Sequence, residues 1–233
     1  MATAALMLLA SPVALAQTAQ RPVVVELFTA QGCSGCPEAN RLIEGLEQDK
    51  DVIALTYGVA YWDYLGWSDT FARPEFADRQ KAYSQAFNLR DVATPQVIID
   101  GRRQLNGNQA PSLRAALKVT EAVALPPPQI EFRQDGTRVG VGSGRVPNGG
   151  AEVVAVIYRP GVQTVSVNRG DNQGQTVRHH NVVREVHQLG PWRGRSALYD
   201  LPVKKVSQDK VVVMVQAQSD RHIFAAAIAA EPD

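Results

Sequence analysis

The chain of 233 residues has two cysteines, and they stand together as Cys33-Ser34-Gly35-Cys36. Before them runs Val23-Val24-Val25-Glu26-Leu27-Phe28-Thr29, which reads as a buried strand. After them, from Pro37 to Glu47, Ala39, Leu42, Ile43 and Leu46 recur at helical spacing. A strand must therefore hand over to a helix across the cysteine pair. Pro37 falls in the first helical turn, where its missing N–H costs nothing. The unpaired N–H groups of that turn carry partial positive charge, which favours thiolate over thiol. Thiolate is the attacking species in disulfide exchange, so Cys33 is the expected nucleophile and Cys36 the resolving partner. The same spacing admits two other readings, half of a zinc site and an inert structural disulfide. Zinc wants about four ligands. There is no second cysteine pair, and His179, His180, His187 and His222 lie far downstream without compact ligand spacing.

Charge argues against polyanionic partners. Lys+Arg 24 against Asp+Glu 23 leaves a net charge of +1, with no clustered basic surface for nucleic acid or anionic membrane. Residues 1–16 read as a secretory signal peptide. Ala4 to Ala10 is an apolar core, and Ala14-Leu15-Ala16 supplies the small residues of a cleavage site, although no Lys or Arg precedes the core. The run is shorter than the about 20 apolar residues of a membrane span. A periplasmic or secreted location, with no membrane span in the mature chain, is the expectation, and it suits disulfide chemistry.

Residues 21–125 carry the elements of an α/β domain. Strands are expected at 23–29, 52–59, 97–99 and 102–105, with a hairpin turn at Asp100-Gly101. Helices are expected at 37–47 and 111–123. A β-α-β half followed by β-β-α is the thioredoxin-like order. Residues 61–88 interrupt it as an insertion holding eight of the fifteen aromatics. Its later part, 74–87, reads as a helix with Phe76, Arg79, Gln80 and Tyr83 at helical spacing. Pro126-Pro127-Pro128 is a stiff linker. Over 129–231, short β-branched runs at 130–132, 139–141, 153–157, 162–167, 181–186 and 211–215 alternate with turn signals. An apolar run at 223–229 closes the chain. Together they predict a separate all-β, sandwich-like domain.

Around the dithiol, Thr94-Pro95 precedes a strand. An ordinary trans proline at a strand edge is one alternative; in a thioredoxin-like order this proline is cis and faces the cysteines. There the backbone of Thr94 can pair with an extended substrate chain. Glu26 interrupts an apolar strand. It is either a buried proton relay for the resolving thiol or a carboxylate on a partly solvated face or paired with an arginine. Trp62 and Trp67 are the candidate substrate-facing aromatics of the insertion, and a local aromatic core is the alternative. Arg169-Gly170-Asp171-Asn172-Gln173-Gly174 reads as a tight turn. His179 and His180 follow it and are expected on opposite faces of a strand.

The runs VVVELFTAQGCSGCPEAN, YWDYLGWSDTFARPEF, ATPQVIIDG and RGDNQGQ…HNVVREVHQLGPW resemble the secreted thioredoxin-like family known as domain of unknown function 1223. The resemblance implies a thioredoxin-like domain carrying the dithiol at Cys33 and Cys36, the strand acid at Glu26, the pair Thr94-Pro95, and a β-rich C-terminal region. It implies no established activity. This chain departs from the family pattern at Gly58 and Ala60, where a His and an Asp are usual, and at Ala93, where a Tyr is usual.

The expected function is an exported thiol–disulfide oxidoreductase needing no organic cofactor or metal. Its expected partners are protein dithiols or disulfides and a redox partner. The alternative is a periplasmic binding or assembly protein whose cysteine pair is structural or carries copper(I), which soft thiolates suit.

Overall fold

The computed structural model describes residues 21–118, 126–202 and 208–229. The signal-like segment 1–16 and the end of the helix expected at 111–123 lie outside them. β1 (Val23–Thr29) is central: β2 (Val52–Gly58) runs parallel on one side and β3 (Gln96–Ile99) antiparallel on the other. Flanked on both sides, β1 needs apolar side chains on both faces, which its valines, Leu27 and Phe28 supply. α1 (Cys36–Glu44) starts on the second cysteine and buries Ala39 and Ile43. α2 (Pro74–Ala86) opens on Pro74 after an extended Arg73 and buries Phe76, Arg79, Gln80 and Tyr83, the helical face expected from their spacing. Asp100 and Gly101 both adopt left-handed φ (50° and 66°) and turn β3 into β4 (Arg103–Asn106). A side chain at 101 would collide with the Arg221 carbonyl oxygen, 1.9 Å from its Cβ position. α3 (Ala110–Lys118) follows.

Beyond Pro128 come β5 (Ile130–Phe132), β6 (Arg138–Val141), β7 (Ala151–Ser166), β8 (Thr176–Trp192), β9 (Ala197–Asp200), β10 (Lys210–Ala217) and β11 (Ile223–Ile228). The fold-class expectation is corrected here. The chain is not an α/β thioredoxin-like domain followed by an all-β sandwich. It is mostly β, and strands of both halves join in one mixed eight-stranded sheet, order β11-β10-β7-β8-β2-β1-β3-β4. β5, β6 and β9 form a second, three-stranded sheet.

Two local causes explain the difference. First, the runs 153–157 and 162–167 belong to one long strand. Arg159-Pro160-Gly161 looks like a turn but is an irregularity in the β7–β8 ladder, which shifts register between Arg159 and Val162. Second, β8 reaches the edge of β2 through a short seam. Thr56 pairs with Val182, and the Thr56 hydroxyl donates to the His180 carbonyl at 2.5 Å. Asn181, at φ 50°, donates to the Ala54 carbonyl at 2.9 Å and accepts from the Gly161 N–H at 3.0 Å. Periodicity reports which face of a strand is buried, not which strand lies beside it. Phe28, Leu55, Tyr57, Phe76 and Tyr83 share one core cluster with Val154, Val156, Met214 and Ile223.

Candidate functional site

Cys33 and Cys36 form a disulfide across the start of α1, with Gly35 as N-cap and no side chain capping the helix. Cys33 is 3% exposed and Cys36 0%. Both cysteines are therefore buried, Cys33 marginally less so than Cys36. The Cys36 Sγ accepts the Ala30 N–H at 3.4 Å, a donor placed to stabilise negative charge on that sulfur. The Cys33 Sγ lies 4.0 Å from the Thr94 carbonyl oxygen. The Thr94–Pro95 peptide is cis. Pro95 packs under the loop: a Cβ at Gly107 would lie 2.7 Å from it, and one at Gly35 would lie 3.7 Å from it. α2 anchors this turn, since Gln80 donates to the Ala93 carbonyl at 2.8 Å. The two glycines and the proline let three backbones converge on the disulfide.

The segment from Gln31 to Cys33 is held by side chains from distant parts of the chain. Asp69 accepts the Gln31 N–H at 2.6 Å. The Gln31 side chain donates to the Thr70 hydroxyl at 2.9 Å and accepts the Trp67 indole N–H at 2.9 Å. Asn172, 1% exposed, donates to the carbonyls of Gln31 and Cys33, both at 2.8 Å. Burial pushes the Asp69 carboxyl up. The N–H groups of Gln31, Phe71 and Ala72 pull it back and Asp63 raises it further, leaving it above its ordinary value. Gly58 lies against the same turn, and a Cβ there would come within 2.9 Å of the backbone of Phe71 and Ala72.

Trp67 faces inward to Gln31, and Trp62 is half-buried against the core cluster that contains both cysteines. Both tryptophans remain partly exposed. The outward-facing aromatic of the insertion is Tyr64, 79% exposed, on the 3₁₀ turn Asp63–Leu65.

Glu26 is fully buried and paired with Arg79 of α2, which donates from Nε at 2.7 Å and Nη2 at 3.1 Å. The Tyr83 hydroxyl donates to the same carboxylate. Arg79 also donates to Tyr83 at 2.9 Å and to Gln216 of β10 at 3.2 Å. Burial pushes the Glu26 carboxyl up, but the charge and hydrogen bonds of Arg79 outweigh it and hold the group below its ordinary value. This is the arginine-paired alternative for Glu26, and it leaves the residue ionised.

His179 and His180 lie on opposite faces of β8. His179 meets Phe71 edge-on, with ring centroids 5.2 Å apart, while His180 faces Glu44 and Glu47. Burial lowers His179 to about 4. Among the described residues, no group of three or more His, Cys, Asp or Glu gathers as a metal site, and no helix is long and apolar enough to cross a membrane.

The residues missed from sequence are Gln31, Asp69 and Asn172. Asn172 lies inside a motif that carried the family resemblance, but a turn motif does not say what its side chain reaches.

A disulfide at a strand-to-helix junction, gripped by a loop from a remote hairpin, defines the class of site. The chain belongs to the DUF1223 family, proteins of unknown function, whose profile matches residues 24–216. It resembles the crystal structure of protein AGR_C_4864 from Agrobacterium tumefaciens, with 31% identity and a TM-score of 0.71 over 88% of this chain and 92% of that one. It also resembles HBP35 of Porphyromonas gingivalis in fold alone, with 14% identity and a TM-score of 0.61 over 90% of this chain and 75% of that one. No curated protein matches the chain.

Proposed function

We propose that the protein is a thiol–disulfide oxidoreductase working outside the cytosol, with Cys33 as the reacting sulfur. The observation that carries this reading is the Cys33–Cys36 disulfide at the N-terminus of α1, with the Cys33 sulfur beside the Thr94 carbonyl. In the oxidising direction a substrate thiolate attacks Cys33 Sγ. A substrate–Cys33 disulfide forms, the Cys33–Cys36 bond breaks, and Cys36 leaves as a thiolate beside the Ala30 N–H. A second substrate thiol, once deprotonated, attacks its own mixed-disulfide sulfur and releases Cys33. Two electrons pass from the substrate dithiol to the protein. The reducing direction runs the same steps backward, from the protein dithiol to a substrate disulfide. The polar backbone at Thr94, 4.0 Å from Cys33 Sγ through its carbonyl, is the place for an extended substrate chain. Tyr64 supplies an exposed aromatic on the neighbouring insertion. Glu26 takes no step, because its carboxylate is engaged by Arg79 and Tyr83. The signal-like run at 4–16 supports export.

The near-complete burial of both sulfurs favours one second reading, a structural disulfide in a binding or assembly protein. Trapping separates the two. Cys36→Ser, expressed with the full chain, is expected to accumulate protein adducts disulfide-linked to Cys33 that disappear in the Cys33→Ser/Cys36→Ser double variant. Recovery of no adduct from the single variant supports the structural reading.

A further inference from the structure

We infer that Asn172 is a positioning residue for Cys33: the tip of the β7–β8 hairpin orients the Cys33 peptide and thereby sets the reactivity of its sulfur. The inference rests on the exchange reaction proposed above. Asn172 stands 139 residues from Cys33 in sequence, yet its Nδ2 donates at 2.8 Å to the Cys33 carbonyl and at 2.8 Å to the Gln31 carbonyl. An amide has two N–H donors, so one side chain satisfies both carbonyls. The Cys33 carbonyl also accepts the Cys36 N–H at 3.1 Å, so it is held from the hairpin side and the helix side.

The loop that presents Asn172 is set by its own backbone. Gly174 N–H donates to the Val167 carbonyl at 2.8 Å, Val167 N–H to Gln175 at 2.9 Å, and Gln175 N–H to Asn172 at 3.0 Å. Gly170 and Gly174 take left-handed φ of 78° and 79°. The loop lies close against the cysteine segment, and a Cβ at Gly170 would sit 3.6 Å from Gly32 Cα. A rigid tip carrying a buried, doubly used donor is a device for fixing one peptide plane.

The consequence is electrostatic. A thiolate at Cys33 is opposed by the negative end of its own carbonyl dipole. A donor at 2.8 Å offsets that dipole, and a peptide plane held by it and by the Cys36 N–H keeps Cys33 in one orientation at the start of α1, whose positive end favours thiolate. Without Asn172 two buried carbonyls lose a partner and the plane is free to rotate, so thiolate is less favoured.

The test uses the full chain, reduced, with Cys33 alkylation by iodoacetamide followed against pH. In the unsubstituted protein Cys33 is expected to titrate below the free-cysteine value of about 8.5. Asn172→Ala and the near-isosteric Asn172→Asp, which replaces the donor by an acceptor, are expected to move that titration upward by about one unit and to slow alkylation at pH 7 about tenfold. An unchanged Cys33 profile in folded variants, beside a lowered value in the unsubstituted protein, overturns the inference and leaves the exchange reaction standing. An ordinary value in the unsubstituted protein counts against the exchange reaction itself. A second measurement needs no variant. The Asn172 side-chain amide NMR signals of the reduced protein are expected to shift with the Cys33 titration, and signals that ignore it overturn the inference even if the variants do not fold.

Discussion

Two polar clusters sit along the same strand, one at its middle and one just past its end, and they are built on different principles. At the middle of β1, Glu26, Arg79, Tyr83 and Gln216 bond side chain to side chain, carry full charges, and are closed off from water. Just past its C-terminal end, Gln31, Asp69, Trp67 and Asn172 bond mainly to the backbone of the loop that bears the disulfide. The first cluster ties β1, α2 and β10 together, across the two halves of the chain. The second bonds to the backbone around the sulfurs and fixes it. A buried carboxylate near a dithiol is therefore not by itself a proton relay: its partners decide its role, and the partners of Glu26 are already occupied with it.

This contrast is easiest to break at the charged cluster. Arg79→Ala leaves the Glu26 carboxylate buried without its partner and is expected to cost about 3–5 kcal/mol, read as a lower urea midpoint. An effect below about 1 kcal/mol contradicts the structural role given to the pair. Glu26→Gln is expected to destabilise in the same assay while leaving the pH dependence of dithiol exchange unchanged. A moved pH profile returns the relay role to Glu26.

Acid is expected to act next. His179 is neutral in the fold, with its pKa lowered to about 4 by burial, while the unfolded chain takes up the proton near 6.5. Stability is therefore full above about pH 6.5 and falls as pH drops toward 4, by about 3 kcal/mol at 1.36 kcal/mol per unit. His222, also lowered to about 4, adds to the slope in the same direction, less strongly because it is partly solvated. Glu26, lowered from its ordinary value, contributes stability that is present above the unfolded carboxyl range and lost as pH falls through its folded value. His179→Phe is expected to flatten the slope between pH 6.5 and 4 without abolishing it, and an unchanged slope places the titrating group elsewhere.

Smaller effects probe the backbone-holding cluster. Trp67→Phe removes the indole hydrogen bond to Gln31 together with part of the ring, and is expected to cost about 1 kcal/mol or somewhat more. The smallest expected change in stability, within about 0.5 kcal/mol, is that of exposed Tyr64→Ser. If Tyr64 contacts protein substrates, exchange with them slows while exchange with glutathione does not. Equal loss with both reduces Tyr64 to a structural part.

Much of the local structure was legible in the sequence. β1 occupies the expected 23–29, and α2 buries the face formed by Phe76, Arg79, Gln80 and Tyr83. These follow from periodicity, which records burial residue by residue. The sheet that joins the halves was not legible, because its seam rests on one paired position, Thr56 with Val182, and on the side chain of Asn181. The cysteines and Thr94-Pro95 could be read as neighbours from their order. The grip of Asn172 on Cys33 could not, since a contact across 139 residues leaves no local pattern. Trp62 and Trp67 were visible as aromatics, but the packing of Trp62 on the core and the bond of Trp67 to Gln31 are not recorded by composition.

The central claim is that Cys33 and Cys36 exchange electrons rather than simply brace the fold. Its most direct test is the reduction potential of the pair in the full chain, equilibrated with glutathione or dithiothreitol buffers. The expected value lies in the range of working dithiols, between about −270 and −120 mV. A potential below about −300 mV, where structural disulfides lie, contradicts it.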